Sequence, residues 1–228
     1  MLSDVMEDYL KTIYVLRQET GERVSTSAIA ERMSVTSPTV TSMVDKLEER
    51  GLVEREKYRG VEPTPEGETV AIEVLRHHRL IEAYLATELD YDWTDVHDEA
   101  DRLEHHISER FEERIAELLD NPRVDPHGDP IPRADLSPPE DAPGHRLVEC
   151  ERGDCVIVRR VRHCTDEELR YLSESGIAPG GELEVVDIAP FGMMTVEGEQ
   201  GRQSLPEEVA RLIRVAPVPE TETELAQS

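Results

Sequence analysis

The chain has 228 residues, enough for one large domain or two to three small ones, and its 51 acidic against 25 basic side chains give a net charge of −26. Hydrophobic residues make up 37% and aromatic residues only 4%, so small cores built from Leu, Val, Ile and Ala are expected. No run approaches 18 consecutive apolar residues and the N-terminus is acidic, which argues against a membrane span and a secretory signal.

The N-terminal third of the chain has the pattern of a winged helix-turn-helix. Apolar residues recur at helical spacing in its first segment, and Ser25 or Thr26 is suited to cap a short second helix. Pro38 fits the first turn of a third helix, which Gly51 stops, and two short strands around a basic turn follow. The predicted helices cover residues 7–18, 27–33 and 38–50, and the strands cover 52–56 and 61–64. A generic small α/β bundle is the alternative.

A helical region and a Pro-rich segment come next. Apolar spacing predicts three helices, over residues 67–90, 94–110 and about 112–119. Asn121 and Pro122 end the last of them. Residues 122–145 are rich in Pro, Gly and Asp, so we expect an extended linker there.

The last third of the chain changes to short strands separated by Gly-rich turns. Strands are expected at 146–149, 154–161, 182–188, 193–196 and 213–215, and short helices at 166–174 and 207–211. This order predicts a small SH3-like barrel over 146–216, followed by a disordered acidic tail over 217–228. Cys150, Cys155 and Cys164 show no CxxC spacing, which favours structural roles and a reducing cytoplasm over a disulfide framework.

The charge is unevenly distributed in type and in position. Only three of the 25 basic residues are lysine, and together with the high acidity this is typical of a halophilic protein, with an ordinary acidic protein as the alternative. The net charge is −5 over residues 1–70, against −12 over 71–140 and −9 over 141–228. The N-terminal segment is therefore the part that repels a polyanion such as DNA least.

Five of the eight histidines lie within residues 77–106, among acidic residues at helical spacing. Facing carboxylate and imidazole groups of this kind can enclose a divalent ion, and the carboxylates favour Mn²⁺ or Fe²⁺. The alternative is a solvated acidic helix face, and His77 and His106 are expected to be exposed. The candidate ligands are His78, Glu82, His97, Asp101, Glu104 and His105, with Glu7 or Asp8 on the first helix as a further oxygen donor.

The third helix and the hairpin turn carry the side chains suited to DNA. Small hydroxyl residues at the start of the helix could contact phosphates and thymine methyl groups, and basic residues further on could hold backbone phosphates. At a helix start Ser and Thr also serve simply as caps, and that alternative stays open. The candidates are Thr36, Ser37, Pro38, Thr39, Ser42, Lys46, Arg50, Lys57, Tyr58 and Arg59. The chain has no GxSxG, P-loop, HExxH or dinucleotide-binding motif, so no enzyme is predicted.

Taken together, these residues resemble the diphtheria toxin repressor family of metal-dependent transcriptional regulators. The resemblance extends over nearly the whole chain and implies an α+β protein. Its parts would be a winged helix-turn-helix over 1–66, a helical dimerisation and metal-binding domain over 67–121, the linker, and an SH3-like, FeoA-like barrel. The stretches that carry the resemblance are MEDYL at 6–10, SPTV at 37–40, EKYRG at 56–60, HRLIE at 78–82, VHDEA at 96–100, EH at 104–105 and NP at 121–122.

The resemblance implies two neighbouring metal sites. One would use His78, Glu82 and His97, and the other would use Asp8, Asp101, Glu104 and His105. Carboxylates at positions 8 and 101 are similar to the manganese-responsive branch of the family and suit a hard ion. Lys11 departs from that branch, which tends to carry an acid there, and this puts a two-ion cluster of that type in doubt. Glu168 is the residue of the barrel that matches a further ligand, whereas Thr165 at the other matching position is a poor ligand.

The implied function is a cytoplasmic, homodimeric repressor of metal-uptake genes that binds a palindromic operator with Mn²⁺ or Fe²⁺ as corepressor. Metal would tie the first helix to the helical domain and so set the spacing of two recognition helices, roughly 34 Å apart. A winged-helix regulator that ignores metal is one alternative. A metal-dependent enzyme is another, which no catalytic motif supports.

Overall fold

The structure, a computed structural model, describes residues 2–139, 144–162, 166–190 and 192–218. The chain divides into two compact units. The first contains Met1–Tyr84, Asp98–Arg123 and Ile131–Pro139, and the second contains Leu85–His97, Val124–Pro130 and Glu140–Ser228. Among the described residues, no helix has the length and apolar character needed to cross a membrane.

The predicted winged helix-turn-helix is confirmed in the first unit. Ser25 caps the second helix, because its Oγ accepts a hydrogen bond from the backbone N–H of Ala28 at 3.1 Å. Thr36 caps the third helix by accepting from the N–H of Thr39, and Gly51 follows that helix with a φ of 71°. The elements are α1 (Asp4–Thr20), α2 (Thr26–Arg32), α3 (Ser37–Glu49), β1 (Val53–Glu56) and β2 (Gly60–Pro63).

Buried aliphatic side chains from these helices form one core. Leu10 and Ile13 of α1 are fully buried, as are Val44 and Leu47 of α3, because each helix turns one apolar face inward. Each such aliphatic side chain contributes roughly 1.5–3 kcal/mol to folding. The wing is antiparallel, with Val53 opposite Pro63 and Glu56 opposite Gly60.

The helical part departs from the sequence prediction at one point that matters for the site. The predicted helix over 94–110 is wrong, because α5 ends at Leu103 and residues 104–106 form a turn. Ser108 then caps a new helix, its Oγ accepting from the N–H of Phe111 at 3.3 Å. The helices are α4 (Pro65–Glu88), α5 (Val96–Leu103) and α6 (Glu109–Leu118). Glu104 and His105 therefore lie in a turn rather than within a helix.

The second unit contains a six-stranded antiparallel sheet in the order β3-β8-β4-β5-β6-β7, with an apolar core that includes Val158, Val185, Val196 and Val215. Its elements are β3 (His145–Arg146), β4 (Cys155–Val161), α7 (Asp166–Glu174), β5 (Glu182–Ala189), β6 (Met193–Gly198), β7 (Gly201–Pro206), α8 (Glu207–Ala210) and β8 (Ile213–Pro217).

Two local predictions for this unit were wrong or incomplete. The strand expected over 146–149 becomes a short 3-10 turn at Leu147–Glu149, because the Glu149 carboxylate accepts from the backbone N–H of Arg146 at 3.1 Å. The strand β7 was not predicted because Leu205 is its single buried residue. Cys150 and Cys155 are free thiols, whereas Cys164 lies outside the described residues.

The segment expected to be an extended linker is folded in its described part, residues 122–139. Asp125 Oδ1 accepts hydrogen bonds from the backbone N–H groups of His127 and Asp129, both at 2.9 Å. The carbonyl oxygen of His127 in turn accepts from the N–H of Val161 on β4. Ile131 is buried in a small core of the first unit. The Pro-rich composition therefore marks a tight loop, while residues 140–143 and 219–228 lie outside the described part of the chain.

Candidate metal centre

Three predicted ligands converge where α1 meets the turn after α5. Asp8 lies on α1, and Glu104 and His105 lie in the turn. The Nε2 atom of His105 is 3.0 Å from Asp8 Oδ1 and 3.3 Å from Glu104 Oε1. One ligand atom from each residue falls within 4.8 Å of the other two. One imidazole and two carboxylates are ligands that suit Mn²⁺ or Fe²⁺, so the donor set fits the predicted metal.

Glu104 is the most buried carboxylate of this group, with a side-chain exposure of 0%. A buried charge must be paired, and Lys11 Nζ donates to its Oε1 at 2.6 Å while His78 Nδ1 lies 2.5 Å from its Oε2. Burial alone would raise the pKa of Glu104, but the hydrogen bond with His78 and the charge of Lys11 hold this pKa below its ordinary value. Lys11 and His78 therefore hold Glu104 in its ionised form, which is the form that can bind a metal ion.

His105 is oriented by a second carboxylate. Its Nδ1 atom lies 2.7 Å from Glu7 Oε2, which leaves Nε2 facing Asp8. A carboxylate that accepts from one ring nitrogen fixes the other as the ligand atom, an arrangement common around bound metals. Burial lowers the pKa of His105, but the hydrogen bond to Glu7 and the charges of Glu104 and Asp8 raise it overall. An overlapping group of possible ligands consists of Asp4, Glu7 and His105.

Two further predicted ligands, Glu82 and Asp101, contact His78. Its Nε2 atom lies 2.9 Å from Glu82 Oε1, and its Nδ1 atom lies 3.3 Å from Asp101 Oδ1. Asp101, which the resemblance grouped with Asp8, thus contacts His78 and also accepts from Lys11 Nζ at 3.1 Å. His97 is exposed one helical turn before Asp101.

Glu168 lies on α7 of the second unit, half-buried, and is not among the described groups of possible ligands. Thr165 lies outside the described residues. The ligand that the resemblance attributes to the barrel therefore remains a prediction.

Two residues near the site were misjudged or passed over in the sequence. His77 was expected to be exposed, which is wrong: its Nδ1 is 3.0 Å from the carbonyl oxygen of Glu104 and its Nε2 is 3.1 Å from Glu112 Oε2. His106 is exposed, as predicted. Lys11 was noted only as a departure from the family, although it lies one helical turn after Asp8 and so shares its face of α1. That spacing was the available signal.

The ten side chains predicted to contact DNA are all exposed. Tyr58, at the tip of the wing, is 93% exposed and has a φ of 68°, and Lys57 Nζ lies 5.0 Å from the centre of its ring. Thr36 serves as a helix cap, so the alternative considered for the hydroxyl residues holds for this one. Arg59 is paired with Glu56 at 3.1 Å. The start of α3 and the wing turn therefore both offer polar groups to solvent.

Known proteins match the chain throughout its length. The N-terminal DNA-binding domain of the iron-dependent repressors matches residues 1–61, their metal-binding and dimerisation domain matches 64–133, and the FeoA domain matches 145–217. The diphtheria toxin repressor of Corynebacterium efficiens is 36% identical over 226 residues, which cover 95% of this chain and 97% of that protein. The chain belongs to the diphtheria toxin repressor family. It is a metal-dependent transcriptional repressor of the iron- and manganese-responsive kind.

Other relatives agree with this assignment to the family. The iron-dependent repressor IdeR of Mycobacterium tuberculosis is 34% identical, over 95% of this chain and 99% of that protein. A solved manganese-dependent transcriptional repressor in complex with manganese superposes with a TM-score of 0.84 at 37% identity, over 93% of this chain and all of the other. ScaR with bound Cd²⁺ gives a TM-score of 0.79 at 32% identity, over 93% of this chain and 99% of the other. The two sequence relatives, the manganese-dependent protein and, in its apo form, ScaR are named as repressors, which supports a regulator rather than an enzyme.

Proposed function

We propose that this repressor binds a palindromic operator as a homodimer when a divalent ion occupies the group formed by Asp8, Glu104 and His105. The observation that carries the proposal is the position of Asp8, because this ligand belongs to the winged helix-turn-helix while the other two follow α5. An ion held there would supply a double positive charge shared by both parts. Asp8 would then fix α1, and with it the recognition helix α3, against the helical domain.

The donor set favours Mn²⁺, with Fe²⁺ as the second choice. Two carboxylates and one imidazole are hard or borderline ligands, and neither Asp8 nor Asp101 offers sulfur. His78, Glu82 and His97 are proposed as a second group, and Glu168 as an additional ligand from the barrel. The regulated genes are proposed to encode metal uptake, and the protein is proposed to act in the cytoplasm.

The DNA contacts are proposed for the exposed start of α3 and for the wing. Thr39 and Ser42 would face base edges and phosphates, because they are exposed on the side of α3 opposite its buried Val40 and Val44. Lys46 and the three residues of the wing tip would contact backbone phosphates. The full proposed set is Thr36, Ser37, Pro38, Thr39, Ser42, Lys46, Arg50, Lys57, Tyr58 and Arg59.

Exposed apolar residues of the helical domain support a dimer. Phe111 and Leu118 are 48% and 58% exposed and lie seven residues apart on one face of α6, and Leu103 at the end of α5 is 39% exposed. These residues fall within the part of the chain that matches the metal-binding and dimerisation domain of the family. A two-fold dimer would present two recognition helices to successive major grooves.

Operator binding by ligand variants tests the proposed function. Asp8→Ala and His105→Ala should fold as dimers but lose metal-dependent operator binding in a mobility-shift assay with Mn²⁺. Arg202→Ala is the matched control, since its side chain is 65% exposed, its partner Glu197 lies on the adjacent strand β6, and neither residue belongs to the metal group or to α6. Operator binding at wild-type strength by either ligand variant would rule out this metal group as the switch.

A metal-independent winged-helix regulator is the second candidate. It predicts equal operator binding by the wild type in chelator and in Mn²⁺, which the same assay measures directly.

A further inference from the structure

The ammonium group of Lys11 lies between the two groups of predicted metal ligands. Its Nζ atom donates to Glu104 Oε1 at 2.6 Å and to Asp101 Oδ1 at 3.1 Å. Glu104 belongs to the group with Asp8 and His105, whereas Asp101 contacts His78. The side chain of Lys11 is only 15% exposed. Lys11 therefore connects the two groups, alongside the His78 ring, whose Nδ1 atom lies 2.5 Å from Glu104 Oε2 and 3.3 Å from Asp101 Oδ1.

The choice of lysine is itself informative. All but three of the 25 basic residues are arginine, and the other two lysines, Lys46 and Lys57, are exposed on the proposed DNA-binding face. Guanidinium is a broad planar fork, whereas ammonium is a compact charge that fits between two carboxylates from different directions. Lys11 thus places a point charge at the position where an ion shared by Asp101 and Glu104 would lie.

We propose that the Lys11 ammonium is a built-in counter-cation that replaces a metal ion between Asp101 and Glu104, so that these two carboxylates share no divalent ion besides the one held by Asp8, Glu104 and His105. This inference rests on the proposed function, because it assumes that Asp8, Glu104 and His105 hold the first ion. Lys11 neutralises the repulsion between Asp101 and Glu104, which a second ion would otherwise have to do.

The same charge sets the affinity for the ion that does bind. Glu104 Oε1 is shared between Lys11, which donates to it, and the group of ligand atoms around His105 Nε2. Like charges a few ångströms apart repel, so Lys11 weakens binding of a divalent ion at the neighbouring ligands. Removing the charge while keeping the side-chain length should therefore strengthen Mn²⁺ binding by about tenfold or more.

The number of bound ions and their affinity test this role without DNA. Mn²⁺ binding would be measured by calorimetry and by elemental analysis of the dialysed full-length protein in molar KCl. His105→Ala should bind one ion fewer per protomer than the wild type, and Lys11→Glu should bind one more. Lys11→Met should bind the ion held by Asp8, Glu104 and His105 about tenfold more tightly or better. Arg202→Met removes the same charge from an exposed site on β7 and should match the wild type.

The outcomes separate this inference from the proposed function. If His105→Ala binds as many ions as the wild type, the proposed metal group fails and the role of Lys11 fails with it. If His105→Ala loses an ion but Lys11→Met binds Mn²⁺ no more tightly than the wild type, the metal group stands and the counter-cation is refuted. Lys11→Glu with an unchanged ion count refutes it as well. Lys11→Met adds no charge, so it keeps the test decisive if Lys11→Glu does not fold.

Discussion

Replacing Asp8 separates the two overlapping groups of possible ligands, which share His105. One group adds Asp8 and Glu104, and the other adds Asp4 and Glu7. Burial raises the pKa of Asp8, so the folded protein without metal disfavours its ionised form. Asp8→Ala should therefore leave the melting temperature in chelator unchanged or slightly higher. With metal the effect should be large, because Asp8 is itself a ligand. Removing a residue that only supports a ligand typically weakens metal binding about 10–100-fold, so Asp8→Ala should weaken Mn²⁺ binding by about 100-fold at least.

The size of the effect follows from binding linkage. At a Mn²⁺ concentration about 100 times the wild-type Kd, metal should stabilise the wild type by about 2.7 kcal/mol. A variant with about 100-fold weaker binding should gain only about 0.4 kcal/mol at the same concentration. Thermal unfolding in molar KCl, with chelator and with Mn²⁺, measures both gains. Asp4→Ala is the matched control and should keep the wild-type gain. A full gain in Asp8→Ala, or a lost gain in Asp4→Ala, would refute the ligand group.

Three further predictions concern the support of the site, its protons and the salt dependence. Glu7→Gln should weaken Mn²⁺ binding about 10–100-fold, because Glu7 orients the His105 ring; calorimetry with wild-type affinity would contradict this. In the folded protein the pKa values of His105 and His78 lie above the ordinary 6.5, so a metal ion must displace protons from these rings. The half-saturating Mn²⁺ concentration should therefore rise as pH falls from about 8 to about 6. By the same linkage, these imidazolium groups stabilise the metal-free protein below pH 6.5, and this stability is lost as pH rises through the raised pKa values. Melting curves measured in chelator as a function of pH test this prediction. On the hypothesis that cations retained between carboxylates and phosphates take the place of counterion release, which weakens as salt rises, we expect operator affinity to change little with KCl up to molar concentration; a steep fall in anisotropy titrations would contradict it.

Periodicity was sufficient to predict the DNA-binding part of the fold. The first and third helices each carry one apolar face, and Pro38 and Gly51 mark the ends of the third helix. These signals are local, so they can be read from the sequence before any packing is known. The sheet of the second unit was predicted less completely, because an edge strand such as β7 buries a single side chain and carries almost no alternation.

The site was predicted by residue type but not by contact. The apolar pattern continues from Val96 to Ile107, so the sequence predicts one helix across the turn that contains Glu104 and His105. In the structure α5 ends at Leu103, and the cap at Ser108 begins a separate helix. His77 lies off the inferred ligand face of α4, yet Glu112 and the backbone of Glu104 approach it from other elements. Such contacts depend on tertiary packing, which spacing along one helix does not contain.

The position of Lys11 illustrates the same limit. Its sequence neighbours place it on the face of α1 that carries Asp8, and this follows from the helical period. Its two partners are 90 and 93 residues away in the chain, so the bridge between Asp101 and Glu104 depends on how α1 packs against the end of α5. In the sequence, Lys11 stands where the manganese-responsive branch tends to carry an acidic residue. In the fold, its ammonium group lies between Asp101 and Glu104.

Fluorescence anisotropy of the wild-type protein on DNA from its own upstream region tests the central claim most directly. The titration would be made in molar KCl with chelator and then with Mn²⁺ or anaerobic Fe²⁺. The account predicts operator binding only with metal, and by linkage the operator should tighten metal binding by the same factor. Equal operator binding in chelator would contradict the account and leave a winged-helix protein whose histidines and carboxylates have no regulatory role.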